Sequence, residues 1–318
     1  MLRWGILSTA RINRRLIAAV RASDRSEVSA VASRDAARAA QYADEWQIPI
    51  ALGSYEALLG SDVDVIYNPL PNHLHLEWTL RAVEAGKHVL CEKPLVLKPG
   101  DVDEIAGAAE RAGVVVSEAF MYRHHPPVHR VRALIREGAV GEPRLIRGVF
   151  TFTLDRGEAN YRLDPAAGGG ALWDVGCYPV SFARSVLGEE PQRFAAEAVV
   201  GPSGVDIRFA GAMRFPSGVI ANFQCGFDTP FESEMTVVGS LGRITVPLAF
   251  QPGPESTVEV VRGDHREILA VPGLDPLFLG EVEDMERAVL DGGKPLIGLA
   301  DSRGNVAALT ALMEAAGL

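Results

Sequence analysis

The first 120 residues alternate short apolar runs with stretches in which apolar residues recur at helical spacing. This alternation limits the possible folds more than any other feature of the sequence. Strand-like runs occur at residues 4–8, 28–33, 63–68, 88–91 and 114–118, with helical patterns between them. Strands that alternate with helices form βαβ units with right-handed crossovers. We therefore expect an α/β domain with a doubly wound parallel sheet.

The pattern changes after residue 120, where strands follow one another with little helix between them. A long strand is predicted at residues 144–153, and shorter strands follow between residues 194 and 271. The intervening and final helices are predicted at residues 128–136, 177–187, 277–290 and 301–316. A chain of 318 residues is long enough for two domains. We expect the α/β domain at residues 1–120 and an α+β domain, built on an open, mostly antiparallel sheet, at residues 121–318.

Charge and composition argue against several classes of protein. The formal net charge is -10, whereas a general nucleic-acid binder needs a basic face. We expect no membrane span, because the sequence contains no run of about 18 apolar residues, and the N-terminus enters a strand rather than a secretion signal. The three cysteines are too widely spaced for a Cys-x-x-Cys metal pair or a disulfide framework. We expect free thiols, no bound metal and a cytoplasmic protein.

Lysine is rare in this chain, which draws attention to Lys93. Four of the 31 basic residues are lysines. Lys93 lies between Glu92 and Pro94 at the carboxyl end of a predicted strand, which is the edge of an open parallel sheet where ligands bind. Taken alone, this tripeptide is equally compatible with a catalytic lysine and with a surface lysine in a turn.

The turn between the first strand and the first helix has the position of a dinucleotide-binding loop. Residues 5–10 read Gly-Ile-Leu-Ser-Thr-Ala. Gly5 matches the glycine pattern of such loops, whereas Ser8 and Ala10 replace later glycines with residues small enough for a phosphate to approach the backbone. A plain strand–helix turn is about equally compatible with this segment.

The end of the second predicted strand carries basic residues that suit a phosphate. Arg34 and Arg38 can hold a 2′-phosphate through their forked donors, which favours NADP over NAD. Asp35 either caps the following helix or binds a ribose hydroxyl. The choice between the two cofactors therefore stays open at this point.

The loop after the strand at residues 63–68 contains two prolines that would make it rigid. Asn72 or His73 can cap the helix that follows this loop. His75 is placed on that helix, where a histidine is more often packed or exposed than a ligand.

The segment at residues 168–170 consists of three glycines, which allow either a mobile or a closely packed loop. Asp174 and Tyr178 follow at a spacing that places both side chains on one face of a helix. A capping aspartate and a core tyrosine are the plainer interpretation of this pair.

Taken together, these segments resemble the glucose–fructose oxidoreductase and inositol dehydrogenase family, known as Gfo/Idh/MocA, over essentially the whole chain. The Glu-Lys-Pro tripeptide and the glycine-rich segment that ends at Tyr178 carry the resemblance, because their combination at this spacing is specific. The chain is most similar to the branch that contains NADP-dependent D-xylose 1-dehydrogenases, trans-dihydrodiol dehydrogenases and glucose–fructose oxidoreductase. The resemblance implies a Rossmann domain that binds NADP or NAD. It also implies a homodimer or homotetramer that forms through the C-terminal sheet.

The resemblance further implies roles for individual residues. Lys93 matches the catalytic lysine, Tyr178 the acid/base residue, and Asp174 an acid that supports the site. The residues expected to bind the cofactor are Gly5, Ser8, Thr9, Ala10, Ile12, Ser33, Arg34, Arg38, Pro69, Asn72, His75, Glu92 and Lys93. The candidates for the substrate site are Trp173, Tyr161, Arg162, Phe152 and Phe227, although aromatic residues in strands are more often part of the core.

The reaction implied by the resemblance is hydride transfer between a sugar and a nicotinamide cofactor. Tyr178 would accept the proton, and the Lys93 ammonium would stabilise the phenolate, because a free tyrosine with a pKa of about 10 is a weak base near neutrality. An aldose such as xylose or glucose is the expected substrate, and a trans-1,2-dihydrodiol is the alternative. A regulatory protein that binds a dinucleotide without turnover is the alternative from another class.

Overall fold

The computed structural model describes residues 1–155 and 160–318. The described chain divides into two compact units. The first unit comprises Met1–Met121 and Asp275–Arg303, and the second comprises Tyr122–Leu274 and Gly304–Leu318. The first boundary agrees with the change of pattern near residue 120. The predicted division into two continuous domains is incomplete, however, because residues 275–303 belong to the first unit.

The first unit alternates strands and helices as the sequence pattern predicts. Its elements are β1 (Leu2–Leu7), α1 (Asn13–Ala22), β2 (Ser26–Ala32), α2 (Ala36–Glu45), β3 (Ile50–Leu52), α3 (Tyr55–Leu59), β4 (Val65–Asn68), α4 (His75–Glu84), β5 (His88–Glu92), α5 (Pro99–Ala112) and β6 (Val116–Ala119). Capping side chains begin two of the helices: the Asp35 carboxylate accepts the N–H groups of Ala37 and Arg38, and the Ser54 hydroxyl accepts that of Ala57.

The strands of the first unit form one parallel sheet in the order β3-β2-β1-β4-β5-β6. This order confirms the doubly wound sheet. The central strands are buried on both faces, and Trp4, Ile6 and Ile66 have no solvent exposure. The carboxyl ends of β1, β2, β4 and β5 lie at one edge, so that Ser8, Ser33, Pro69 and Lys93 follow neighbouring strands at that edge.

The second unit is built on an eight-stranded sheet. Its elements are α6 (Pro126–Arg136), β7 (Pro143–Thr153), α7 (Cys177–Leu187), β8 (Arg193–Val200), β9 (Asp206–Arg214), β10 (Ile220–Gly226), β11 (Asp228–Gly239), β12 (Arg243–Pro247), β13 (Thr257–Arg262) and β14 (His265–Ala270). The strand order is β14-β13-β12-β11-β7-β10-β9-β8. All neighbouring pairs are antiparallel except β7 and β10, which confirms the open, mostly antiparallel sheet.

Two helices close the chain, α8 (Leu279–Leu290) and α9 (Leu299–Ala315). Hydrogen bonds explain why α8 belongs to the first unit: the hydroxyls of Ser23 and Ser26 both donate to the Glu286 carboxylate. The Ser117 hydroxyl likewise donates to the carbonyl of Ile297 at 3.1 Å. Within the described ranges, no helix combines the length and the apolar character that a membrane span requires.

Candidate active site

The turn between β1 and α1 has the backbone of a phosphate-binding loop. Ser8 adopts a left-handed conformation, with φ at 70°, at a position that favours glycine. The side-chain amide of Asn13 donates to the carbonyl of Ser8 at 3.0 Å and fixes the turn. A Cβ at Gly5 would press against Leu58 and Val63 at about 3 Å, so this glycine is required for packing.

The same turn fits an anionic ligand. The first turn of α1 contains no acidic residue, so its N–H groups and the helix dipole favour a negative group there. The Ser8 hydroxyl oxygen is buried and has no hydrogen-bond partner among residues 1–155 and 160–318. A buried hydroxyl normally has a partner. A pyrophosphate bound to this turn would supply one.

A cavity of about 390 Å³ adjoins this turn and carries several basic side chains. Arg38, one of the predicted phosphate ligands, lines it together with Thr9 and Ala10. Arg11, which directly follows this turn, and Arg14, in the first turn of α1, line it too, and neither was predicted from the sequence. The available signal was their position in the sequence, since both arginines lie within four residues of Ala10, where the phosphate-binding segment ends.

Arg34 and Asp35 are adjacent in the sequence but interact with different groups. Arg34 lies beside the phenol of Tyr55: burial raises the pKa of this phenol, and the charges of Arg34 and Arg38 oppose the rise. The Asp35 carboxylate caps α2, as the first of its two interpretations predicts. The Ser33 hydroxyl accepts the N–H of Asp35 at 3.2 Å.

The loop after β4 is braced by buried polar side chains. The Asn68 amide donates to the carbonyl of His75 and to the hydroxyl of Thr79, each at 3.3 Å. The expectation that Asn72 or His73 caps α4 is wrong, because Leu74 occupies the N-cap position without a side-chain hydrogen bond. Asn72 begins a short 3₁₀ helix instead, and the structure buries both it and Pro69.

His75 links the loop after β4 to the loop that carries Lys93. Its ring is fully buried, with Nδ1 2.8 Å from the carbonyl oxygen of Pro94 and Nε2 2.6 Å from that of Leu70. Burial lowers the pKa of His75 to about 4, although the two carbonyls favour the charged ring. Both ring nitrogens face the backbone, which leaves none for a cofactor. The interpretation of His75 as a packed residue therefore agrees better with the structure than its prediction as a cofactor ligand.

Lys93 follows β5 on a loop that buried side chains hold in place. The Tyr67 hydroxyl donates to Glu92 Oε1 at 2.6 Å, and Glu92 Oε2 accepts the backbone N–H of Lys93 at 3.3 Å. Glu118 Oε1 accepts the N–H of Leu95 at 2.8 Å. The Lys93–Pro94 peptide bond is cis. This network fixes the backbone on both sides of the lysine.

A buried carboxyl on α8 belongs to the same surroundings. Glu281 is 1% exposed, and neither of its oxygens has a hydrogen-bond partner among the residues that the structure describes. Burial raises the pKa of Glu281 well above its usual value, and the charge of Glu92 raises it further. Both effects favour the protonated form of the Glu281 carboxyl. Glu281, Glu118 and Tyr67 were not predicted from the sequence. The signal that was available for each of them is a polar side chain within an otherwise apolar pattern.

The second unit brings Asp174, Tyr178 and Arg162 together. A π-helical turn, Leu172–Gly176, runs directly into α7, and Asp174 lies within it. The buried Asp174 carboxylate accepts Nε of Arg162 at 2.7 Å. Asp174 raises the pKa of Arg162, and Tyr178 also contributes to the rise. We call these three residues the tyrosine cluster.

Aromatic rings surround Tyr178. Its ring centroid lies 5.2 Å from that of Phe150, 5.4 Å from that of Phe250 and 5.6 Å from that of Tyr122. The Tyr122 hydroxyl donates to Ser181 on the next turn of α7 at 2.9 Å. This packing restricts the ring of Tyr178, which suits a residue that must present its hydroxyl in one direction.

The other candidates for the substrate site lie in different surroundings. The Arg162 guanidinium is placed 4.8 Å above the ring of Tyr161 while it pairs with Asp174. Trp173 is buried in the π-helical turn. Phe227 is almost fully buried and packs on Phe152 with a centroid distance of 5.3 Å. It is therefore part of the core, as is usual for an aromatic residue in a strand-rich segment.

Family models match both parts of the chain. Residues 2–120 match an oxidoreductase family with an NAD-binding Rossmann fold, and residues 128–245 match the GFO/IDH/MocA C-terminal domain. The chain belongs to the Gfo/Idh/MocA family of oxidoreductases. Its first domain is accordingly the nicotinamide-dinucleotide-binding domain of a Gfo/Idh/MocA enzyme.

Individual members of the Gfo/Idh/MocA family match over most of the chain. A D-xylose 1-dehydrogenase (NADP(+)) from Haloferax volcanii is 38% identical over 98% of this chain and 97% of that protein. A trans-1,2-dihydrobenzene-1,2-diol dehydrogenase from Bos taurus is 33% identical over 85% of this chain and 81% of that protein. A 3-ketoreductase from Actinomadura kijaniata, solved with NADP and TDP-benzene, has a TM-score of 0.93 and 31% identity over 99% of this chain and 97% of that one.

Proposed function

We propose that this protein is an NADP-dependent aldose dehydrogenase that oxidises the C1 hydroxyl of a sugar such as xylose or glucose to the lactone. The observation that carries the proposal is the tyrosine cluster, in which a packed phenol interacts with a guanidinium held by a buried carboxylate. Such a phenol is equipped to exchange a proton with a carbinol. The similarity to the Haloferax volcanii xylose dehydrogenase supports the substrate class.

The basic cavity supports NADP over NAD. Arg11, Arg14 and Arg38 line one cavity beside the phosphate-binding turn, and arginine binds phosphate through paired donors. Asp35, which would favour the ribose of NAD, is occupied with capping α2. When bound, the dinucleotide supplies the nicotinamide carbon that accepts the hydride.

The proposed role of Tyr178 is to accept the proton of the substrate hydroxyl as the hydride leaves C1. A positive charge close to a phenol favours the phenolate. Arg162 supplies such a charge within the tyrosine cluster. Asp174 keeps the guanidinium in position by accepting its Nε–H.

The proposed role of Lys93 is to donate a hydrogen bond to the reacting oxygen of the sugar and to add positive charge beside it. The loop that carries Lys93 is fixed by Glu92, His75 and Glu118, so the ammonium starts from a defined backbone position. A preorganised donor of this kind stabilises the charge that develops on oxygen during proton transfer.

Two substitutions test the catalytic assignment. Lys93→Ala and Tyr178→Phe should each reduce kcat for aldose oxidation by at least about 100-fold, the usual contribution of a positioned acid or base. NADP affinity, measured by fluorescence titration, should stay within a few-fold of that of the unmodified protein. Lys98→Ala, an exposed lysine at the start of α5, is the matched control. Near-normal turnover in both variants would contradict the proposal.

A substrate scan with both cofactors separates this proposal from its alternatives. Initial rates with a panel of aldoses and trans-dihydrodiols should be highest for an aldose with NADP. Faster turnover of a dihydrodiol would favour the second candidate, which the similarity to the Bos taurus diol dehydrogenase supports. Tight dinucleotide binding without turnover of any sugar or diol would indicate a regulatory protein instead.

A further inference from the structure

A buried carboxylate lies beneath the glycine-rich turn that precedes Tyr178. Asp206 is the first residue of β9 and is 2% exposed. Its Oδ2 accepts the backbone N–H of Leu172 at 2.7 Å, and its carboxylate also interacts with the N–H of Ala171. These two N–H groups belong to the beginning of the π-helical turn, where backbone donors have no partner within the helix.

The chain is shaped to admit this carboxylate. Gly170 has φ at 122°, a conformation that other residues rarely adopt. A Cβ at Gly170 would also overlap Oδ1 of Asp206. Glycine is therefore required at this position, both for its backbone conformation and for the space that the carboxylate occupies.

The turn held by Asp206 is connected to the tyrosine cluster through the backbone. The N–H of Gly170 donates to the carbonyl of Arg162 at 2.9 Å, and the carbonyl of Gly170 accepts the N–H of Asp174 at 3.0 Å. A movement of this turn would therefore displace Arg162 and Asp174 relative to each other. Tyr178 lies one turn after Asp174 on the continuous helix.

We propose that Asp206 is a positioning residue for the tyrosine cluster, because its buried carboxylate fixes the start of the helix that carries Asp174 and Tyr178. This inference rests on the proposed function of Tyr178. Asp206 itself touches neither the Tyr178 hydroxyl nor the Arg162–Asp174 pair in any hydrogen bond among the described residues. Its effect on the reaction is transmitted through the backbone of residues 170–172.

The electrostatic surroundings give Asp206 a distinct pH dependence. Burial raises the pKa of Asp206 to about 7, against the opposing effect of the backbone N–H groups that it accepts. The Cys225 thiol on β10 interacts electrostatically with Asp206, and the same thiol also interacts with Cys177 on α7 and with Asp174, which is paired with Arg162. Burial, followed by the charge of Asp206, raises the pKa of Cys225, so this thiol stays neutral. On β9 itself, Arg208 pairs with Asp228.

Protonation of Asp206 affects activity and stability in opposite directions. The carboxylate is the stronger acceptor for the N–H groups of the turn, so positioning should weaken as the pH falls through about 7. The raised pKa means that the folded protein binds this proton more tightly than the unfolded chain. The contribution of Asp206 to stability is therefore fully present below its usual pKa of about 4 and is lost as the pH rises through about 7.

The test is Asp206→Asn, with Glu197→Gln as the matched control. Glu197 is an exposed acid on β8, the strand next to β9, so the control makes the same chemical change on a neighbouring strand. At pH 8, Asp206→Asn should lower kcat about tenfold or more and leave NADP affinity unchanged. The part of the fall in kcat that titrates near pH 7 in the unmodified protein should be absent from the variant, whereas the alkaline rise that comes from Tyr178 should remain. The thermal stability of the variant relative to the unmodified protein should rise between pH 5 and pH 8.

A kcat within twofold of the unmodified value at every pH, with the same pH profile, would overturn the proposal. A loss of stability at pH 8 with an unchanged pH profile would also overturn it, since a purely structural role predicts that result.

Hydrogen exchange separates failure of this inference from failure of the proposed function. If the unmodified protein turns over no sugar or diol, the proposed function fails, but exchange of the amides in residues 170–178 still reports on the turn. Faster exchange there in Asp206→Asn than in the control supports positioning, and equal exchange contradicts it. If the variant does not fold, the same measurement on the unmodified protein tests the proposal. The protection factors of the amides of residues 171–172 should decrease when the pH is lowered below 7, and protection that does not change with pH would overturn the proposal.

Discussion

At the residue scale, the structure changes what surrounds the proposed acid/base residue. Sequence reasoning placed Lys93 beside Tyr178 and treated Arg162 as a contact for the sugar. Within the second unit, however, Arg162 is bound to Asp174 and interacts with Tyr178. Within the second unit, the Arg162 guanidinium is therefore one of the charges that interact with this phenol. The joint action of Lys93 and Tyr178 stays a proposal.

Substitution of Arg162 tests this cation. Arg162→Gln leaves the buried Asp174 carboxylate without its partner and removes positive charge from the surroundings of Tyr178. We expect kcat at pH 8 to fall about 10- to 100-fold and the alkaline rise of the pH–rate profile to move to higher pH. Steady-state kinetics between pH 6 and pH 10 measure both effects. Arg136→Gln, an exposed arginine on α6, is the control, and equal profiles for the two variants would exclude the role of Arg162.

The buried carboxyl of Glu281 predicts a pH dependence of stability. Its pKa is raised in the folded protein, so its contribution to stability is fully present below about pH 4.5 and is lost as the pH rises through the folded value. Glu281→Gln stays neutral at every pH. Its melting temperature should exceed that of the unmodified protein by a few degrees at pH 9.

Thermal unfolding across this pH range measures the effect of Glu281. Near pH 4 the two proteins should unfold at similar temperatures. Glu104→Gln, an exposed glutamate on α5, should follow the unmodified protein throughout. If the difference in melting temperature between Glu281→Gln and the unmodified protein is the same at every pH, Glu281 does not titrate as its burial predicts.

At the scale of elements, the sequence predicted most helices and strands but not the unusual ones. β3 contains three residues, too few to display a period of two. The π-helical turn before α7 has the same apolar pattern as an α-helix, so its extra residue per turn left no signal in the sequence. π-helical turns of this kind are frequent at functional sites.

The cavity between the β1–α1 turn and α2 predicts cofactor selectivity. Arg38→Ala or Arg14→Ala removes one of the arginines that line it. We expect the KM for NADP to rise about tenfold or more, because a charge-assisted contact with the 2′-phosphate is lost, and the KM for NAD to stay unchanged. Arg15→Ala is the control, because Arg15 lies on α1 next to Arg14 but is not among the residues that line the cavity. An equal change in the KM for NADP and for NAD would show that the arginine contacts a part of the dinucleotide that both cofactors share.

At the scale of the whole molecule, the eight-stranded sheet presents apolar residues to solvent. Leu145 on β7 and Ile220 on β10 are cross-strand partners and are 40% and 43% exposed. Phe231 on β11 is half exposed. Leu145 and Ile220 adjoin each other, whereas Phe231 lies nearer the other end of β7, and exposed apolar residues on one sheet favour association with another surface. We propose that this face joins the subunits of a homo-oligomer.

A single charge on this face tests the association. Ile220→Glu should convert the oligomer to a monomer in size-exclusion chromatography with light scattering, because a carboxylate buried at an interface carries a large desolvation cost. Leu290→Glu introduces the same charge at an exposed leucine of α8 in the first unit and should leave the mass unchanged. An unmodified protein that is monomeric at micromolar concentration would contradict the proposal directly.

Features that depend on neighbours along the chain could be predicted from the sequence. Apolar periods of 2 and 3.6 follow from backbone geometry, so they predicted the parallel sheet, the antiparallel sheet and the change between them near residue 120. The position of Lys93 at the end of β5 and the spacing of Asp174 and Tyr178 are equally local. The motifs at these positions were sufficient to identify the family.

Contacts between residues that are distant in the sequence became known only from the folded chain. It assigned residues 275–303 to the first unit, placed Glu281 near Glu92, paired Arg162 with Asp174 and set Asp206 beneath Gly170. None of these relations leaves a pattern in the sequence, because each depends on where the fold brings two segments and on how far water is excluded from them. Burial then determines the protonation of these carboxyl groups, and burial is a property of the folded chain alone.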